Sequence, residues 1–125
     1  DMLIGLKGGK ILSLFCKTTR LFGYKPVLIT LNPLKLINLQ IKCEAICCYY
    51  NINRYNVCDD TKELLKSFNL QNKSKELWAM GILASGAIDY KDLASDDLLN
   101  RFHRVIIASL SKERIIEMSE IIRDA

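Results

Sequence analysis

His103 is the one imidazole among 125 residues, and it stands between Arg101 and Arg104 beside Leu99 and Phe102. A general base works on a nucleophile within hydrogen-bond reach and is held by an orienting group. No residue near His103 in the sequence supplies either role, so it reads as a partly buried histidine on a helix. Five cysteines are the next candidates: Cys16, Cys43, Cys47, Cys48 and Cys58. Their number is odd, no two are spaced Cys-x-x-Cys, and three fall within six residues on what reads as one helix. That is neither a disulfide framework nor a zinc site, and the thiols read as reduced, small hydrophobic core residues.

Two further patterns fail on spacing. Gly5-Leu6-Lys7-Gly8-Gly9-Lys10 suggests a phosphate loop, whose backbone N–H groups and lysine would cradle an anion. Such a loop needs glycine where this chain has Ile4, and serine or threonine where it has Ile11, so a tight turn is expected. Asp89, Asp92, Asp96 and Asp97 lack the spacing and the loop glycine of a calcium loop, and read as helix caps and solvated charge. No catalytic set emerges. The expectation is a non-enzyme with no cofactor and no metal.

Charge is more informative. Residues 1–57 hold eight basic side chains against two acidic ones, whereas residues 58–125 hold ten against twelve, within a net charge of +4. Lys7, Lys10, Lys17, Arg20 and Lys25 alternate with Phe15, Phe22 and Tyr24, a mixture suited to phosphates and unpaired bases. These five are the candidate nucleic-acid-binding residues. At the other end Ile115, Ile116, Met118, Ile121 and Ile122 cover more than one helical stripe. Ile115, Ile116, Met118 and Ile122 are accordingly the candidate partner-binding surface.

The elements that would position these groups follow from apolar spacing. Met2–Lys7 reads as a strand closed by Gly8-Gly9, and Ile11–Phe22 as either a helix or a second strand. Lys25–Leu31 reads as a buried strand. Asn32 caps and Pro33 opens a helix whose stripe Leu34, Ile37, Ile41, Ala45 and Cys48 runs to about Tyr50. A polar loop leads to a helix over about Thr61–Phe68, capped by Asp59 or Asp60. Leu77–Ile88 begins as a buried strand. Ser95 or Asp96 caps a helix with Leu98, Leu99, Phe102, Val105, Ile106 and Leu110 inward, and Ser111 caps the last helix. The result is one compact α+β domain over 1–125, a small, mostly antiparallel sheet covered by about four to five helices, with a helical C-terminus.

No apolar run reaches the length of a membrane span, and Ile11–Cys16 makes a poor signal peptide, so a cytoplasmic or nuclear domain off the membrane is expected. The stretch Lys25–Tyr50, KPVLITLNPLKLINLQIKCEAICCYY, together with Met2–Gly8 and Thr61–Asn69, resembles the small kinase-binding subunits of the KEOPS tRNA-modifying complex (the TPRKB family). The strand and turn that those proteins place between their long and short helices is replaced here by Asn51–Asp60. The resemblance implies a non-catalytic accessory subunit that binds a small atypical kinase through its C-terminal helices. It also implies a role near the tRNA acceptor end in threonylcarbamoylation of an adenosine. The alternative is a small nucleic-acid-binding or protein-interaction domain of a viral or archaeal replication or transcription machine.

Overall fold

A computed structural model describes residues 8–57, 59–71, 74–109 and 111–124. The strand expected at Met2–Lys7 therefore lies outside the described residues, as do Lys7 and Cys58. In chain order the elements are α1 (Gly9–Leu21), β1 (Val27–Thr30), α2 (Pro33–Asn38), β2 (Ala45–Tyr49), α3 (Thr61–Gln71), β3 (Glu76–Met80), three short 3-10 turns, β4 (Arg104–Ile106) and α4 (Lys112–Asp124). The four strands form one sheet in the order β1-β2-β3-β4, and every pairing is parallel.

That overturns the expected antiparallel sheet, for a reason visible in the connections. Segments 31–44, 50–75 and 81–103 each exceed the dozen or so residues a crossover needs, and each carries helix or 3-10 turns. Hairpins would need far shorter links. Residues expected on two long helices accordingly turn out to be strands. The Pro33 helix ends at Asn38, where Gln40 takes a left-handed φ of 51°. Ala45–Tyr49 is then β2, with its first four residues buried. An uninterrupted apolar run is what a central parallel strand looks like, and Ala45 and Cys48 only mimic a helical stripe. Likewise the helix expected from Ser95 or Asp96 is a set of 3-10 turns feeding β4. The ambiguous Ile11–Phe22 resolves as helix.

Caps follow local chemistry. Asp60 Oδ1 accepts from Glu63 N–H at the start of α3, and Ser111 Oγ accepts from Arg114 N–H at the start of α4. At α2 the cap is remote. Asn32 makes no side-chain cap, and the Leu34 N–H instead donates to Asp59 Oδ2 at 2.9 Å.

Strand alternation divides the sheet. Leu28, Ile46, Cys48, Leu77 and Ala79 share one face and form the core with Cys16 of α1, Leu36 and Ile37 of α2, and Leu64, Leu65 and Phe68 of α3. Val105, Ile121 and Ile122 pack against this cluster. Among the described residues no helix is long and apolar enough to cross a membrane.

Candidate functional site at the carboxyl ends of the strands

In an open parallel sheet, ligands sit beyond the carboxyl ends of the strands, where loops diverge and helices begin. Here a crevice of about 680 Å³ occupies that position, between the ends of β2, β3 and β4. Its floor is Tyr49, Met80 and Ile106, the mutually paired last residues of the three strands.

One wall follows β2. Asn51 is buried, and its amide closes the next turn twice: Nδ2 donates to the Tyr55 carbonyl, and Oδ1 accepts from the Tyr55 N–H, both at 2.8 Å. Tyr55 and Asn56 are thereby held at the rim. The opposite wall follows β3, where Gly81 turns the chain with φ of 72°. Ala84, Ser85 and Gly86 follow with φ of 45°, 59° and 96°, three consecutive left-handed residues, a conformation only glycine adopts without strain. The third wall is the β4–α4 junction, with Ser109, Ser111 and Arg114.

Arg114 carries the only charge among the described lining residues, and beside it, at the start of α4, the Glu113 carboxylate accepts from the lining Ser111 Oγ at 2.8 Å. Hydroxyls of Tyr49, Tyr55, Ser85, Ser109 and Ser111 and the amides of Asn51 and Asn56 are the crevice's other polar side chains. Behind the crevice lies a buried pair. Tyr50 Oη donates to the Asp96 carboxylate, with oxygens at 2.6 and 2.8 Å, and the Tyr50 ring packs 5.0 Å from Phe102. Burial, and then the hydrogen bond to Asp96, push the Tyr50 phenol well above its usual range. Asp96 also accepts from Leu98 N–H, so the pair ties β2 to the 3-10 turns.

The residues singled out by sequence lie elsewhere. Lys10, Lys17 and Arg20 are exposed on α1, and Lys25, in the turn after it, pairs with Glu44 at 3.4 Å. Phe15, Phe22 and Tyr24 are exposed beside them. On α4, Ile115 and Ile116 are exposed, Met118 is fully buried and Ile122 packs on the core, so the four do not form one surface. His103 is not on a helix. It leads into β4, where its backbone N–H donates to Leu77 O and its ring Nδ1 accepts from Leu77 N–H, so one ring nitrogen is tied to the neighbouring strand. The described cysteines 16, 43, 47 and 48 are buried and free, and no group of three or more metal-ligating side chains occurs among the described residues.

Sequence reasoning passed over the crevice because its residues carry no reactive pattern. A usable signal existed: the apolar runs give way to small or polar residues, as in Tyr50-Asn51, Met80-Gly81 and Ile107-Ala108-Ser109. Comparison of the chain with known protein families, curated proteins and solved structures finds no match.

Proposed function

We propose that the domain binds a small phosphorylated organic molecule in the crevice at the carboxyl ends of β2, β3 and β4. The observation that carries this reading is the Arg114 guanidinium at the edge of a lining of aromatic and apolar side chains. A guanidinium favours a phosphate, and Tyr49, Met80 and Ile106 suit a flat or apolar body attached to it. The role is binding: the lining holds no carboxylate, imidazole or thiol to move a proton or attack a substrate. Titration with adenosine monophosphate, adenosine and inorganic phosphate, followed by calorimetry and by amide shifts of residues 111–114, tests it. The monophosphate should bind best, and Arg114→Met should weaken it by about tenfold or more. Absence of binding by all three, or binding indifferent to Arg114→Met, overturns the reading.

A second reading keeps the nucleic-acid role suggested by sequence and is favoured by one observation. On α1, Lys10, Lys17 and Arg20 are exposed together with Phe15 and Phe22, and residues 8–43 contain no acidic side chain. In this reading the domain is an accessory subunit that meets tRNA through α1 and a small kinase through its C-terminal helix. Titration with tRNA over a salt series tests it. Affinity should fall as salt rises and weaken further in Lys17→Gln/Arg20→Gln. Lack of binding at low salt removes it.

A further inference from the structure

Arg54 and Arg104 each pair with a carboxylate, Asp60 and Glu76 respectively. Arg114 of the crevice forms no ion pair among the described residues. The two acids nearest to it along α4 are engaged elsewhere. Glu113 accepts from Ser111 Oγ, and Glu117 takes the hydrogen of the Tyr90 phenol, a bond that raises that phenol's ionisation. What Arg114 does meet is a ring: its guanidinium carbon lies over Tyr90, 5.9 Å from the ring centre. A stacked guanidinium gives its flat face to the ring, while its N–H donors point outward in the plane of the fork. The cation is thereby oriented without being neutralised, the state that suits an arriving anion.

The ring is the better fixed of the two partners. Tyr90 is half-buried and packs against the main core, although it does not line the crevice itself. It opens the 3-10 turn Tyr90–Ser95, whose start is capped by Asp89 Oδ1 accepting from Lys91 N–H at 3.0 Å. Leu93 of the same turn is fully buried, and Asp96 just after it accepts from the Tyr50 hydroxyl. The turn is thus tied to the core at its middle and to the residue after β2 at its end. Arg114, by contrast, is an exposed, long side chain with much rotamer freedom to lose. We propose, on the phosphate reading of the crevice, that Tyr90 is its positioning residue: the ring holds the Arg114 guanidinium by its face and leaves the N–H edge free for the phosphate. Freedom that Arg114 has already given up to the ring is not lost again on binding, so the platform raises affinity for the charged group alone.

Calorimetric titration with adenosine monophosphate and with adenosine, on the wild type, Tyr90→Phe, Tyr90→Leu and Arg114→Met, tests the proposal. Phenylalanine keeps the platform without the phenol, and leucine keeps apolar packing on the core without the platform. Monophosphate binding should weaken about two- to fivefold in Tyr90→Leu and stay near the wild type in Tyr90→Phe. Adenosine binding should respond to neither change, and in an Arg114→Met background Tyr90→Leu should add nothing. With no ligand present, the Arg114 δ-methylene proton signals should lie upfield under the ring, and should return to ordinary positions in Tyr90→Leu only. Monophosphate affinity that falls in Arg114→Met but not in Tyr90→Leu overturns the proposal and leaves the phosphate reading standing. Equal losses in Tyr90→Phe and Tyr90→Leu overturn it too, since the hydroxyl would then be responsible, as does a matching loss of adenosine binding. Indifference to Arg114→Met overturns the phosphate reading and the role of Tyr90 together.

Discussion

Gly81 lies flat against the ring of Tyr49: a Cβ on residue 81 would stand 2.6 Å from Tyr49 Cδ1 and 2.8 Å from Cε1. The same residue has φ of 72°, so two independent constraints, space and backbone, demand glycine. Gly81→Ala should cost about 1–2 kcal/mol from the backbone alone. It should also swing the half-exposed Tyr49 ring off the crevice floor. In a Tyr49→Ala background only the backbone part should persist. Urea denaturation of the two single variants and the double variant measures this, and strictly additive costs would show that the ring contact imposes no constraint.

The Tyr50–Asp96 pair makes a prediction on the alkaline side. Tyr50→Phe leaves a buried carboxylate without its strongest donor and should cost about 1.5–3 kcal/mol. Because burial and the Asp96 bond raise the folded phenol above its unfolded value near 10, the folded chain keeps a proton that the unfolded chain releases. The contribution is therefore whole below about pH 10 and drains away as pH rises further. Stability measured across this range should fall more steeply in the wild type than in Tyr50→Phe. Equal slopes would mean that the phenol is not held by Asp96.

Glu76 gives the matching acid-side case. The Arg104 guanidinium, then the Trp78 indole N–H, hold its carboxyl at about 2 instead of the usual 4.5. A depressed folded value means that stability is present above the unfolded value and is lost as pH falls through the folded one. The wild type should thus lose melting temperature between about pH 4.5 and about pH 2, and Arg104→Gln should lose less across that window. The effect should be small, since the pair is largely open to solvent. An unchanged slope in Arg104→Gln would place the cause elsewhere.

Helix termini and short apolar strands were differently legible in the sequence. Asp60 and Ser111 cap the helices that follow them because a cap is a local event, settled by one side chain and the next three N–H groups. Val27–Thr30 and Glu76–Met80 could be read as strands from their apolar composition and bounded length. Ala45–Tyr49 could not be separated from a helix by period, since a strand buried on both sides shows no alternation. Strand direction was also hidden. It depends on how long crossovers pack, and the α2 cap from Asp59, some 25 residues away, is the kind of contact that no local pattern reveals. The crevice was missed for the same reason: Tyr49, Gly81 and Arg114 meet only once three strands end side by side.

The thiols test whether β2 is the packed centre that this topology requires. Burial raises Cys16, Cys43 and Cys47, and Cys48 is pushed up to about 12 by burial, then by Cys47 and Asp59 beside it. Only the thiolate attacks a disulfide reagent, so both access and ionisation are suppressed at these positions. In a Cys58→Ser background at pH 8, an aromatic disulfide reagent should label none of the four on the folded chain, and all four in denaturant. Intermediate urea should label them at a common rate set by opening of the core, because Cys43, Cys47 and Cys48 lie on or next to one central strand and Cys16 packs into the same cluster. Fast reaction of Cys47 or Cys48 in native buffer would show that β2 is not covered on the side each residue faces.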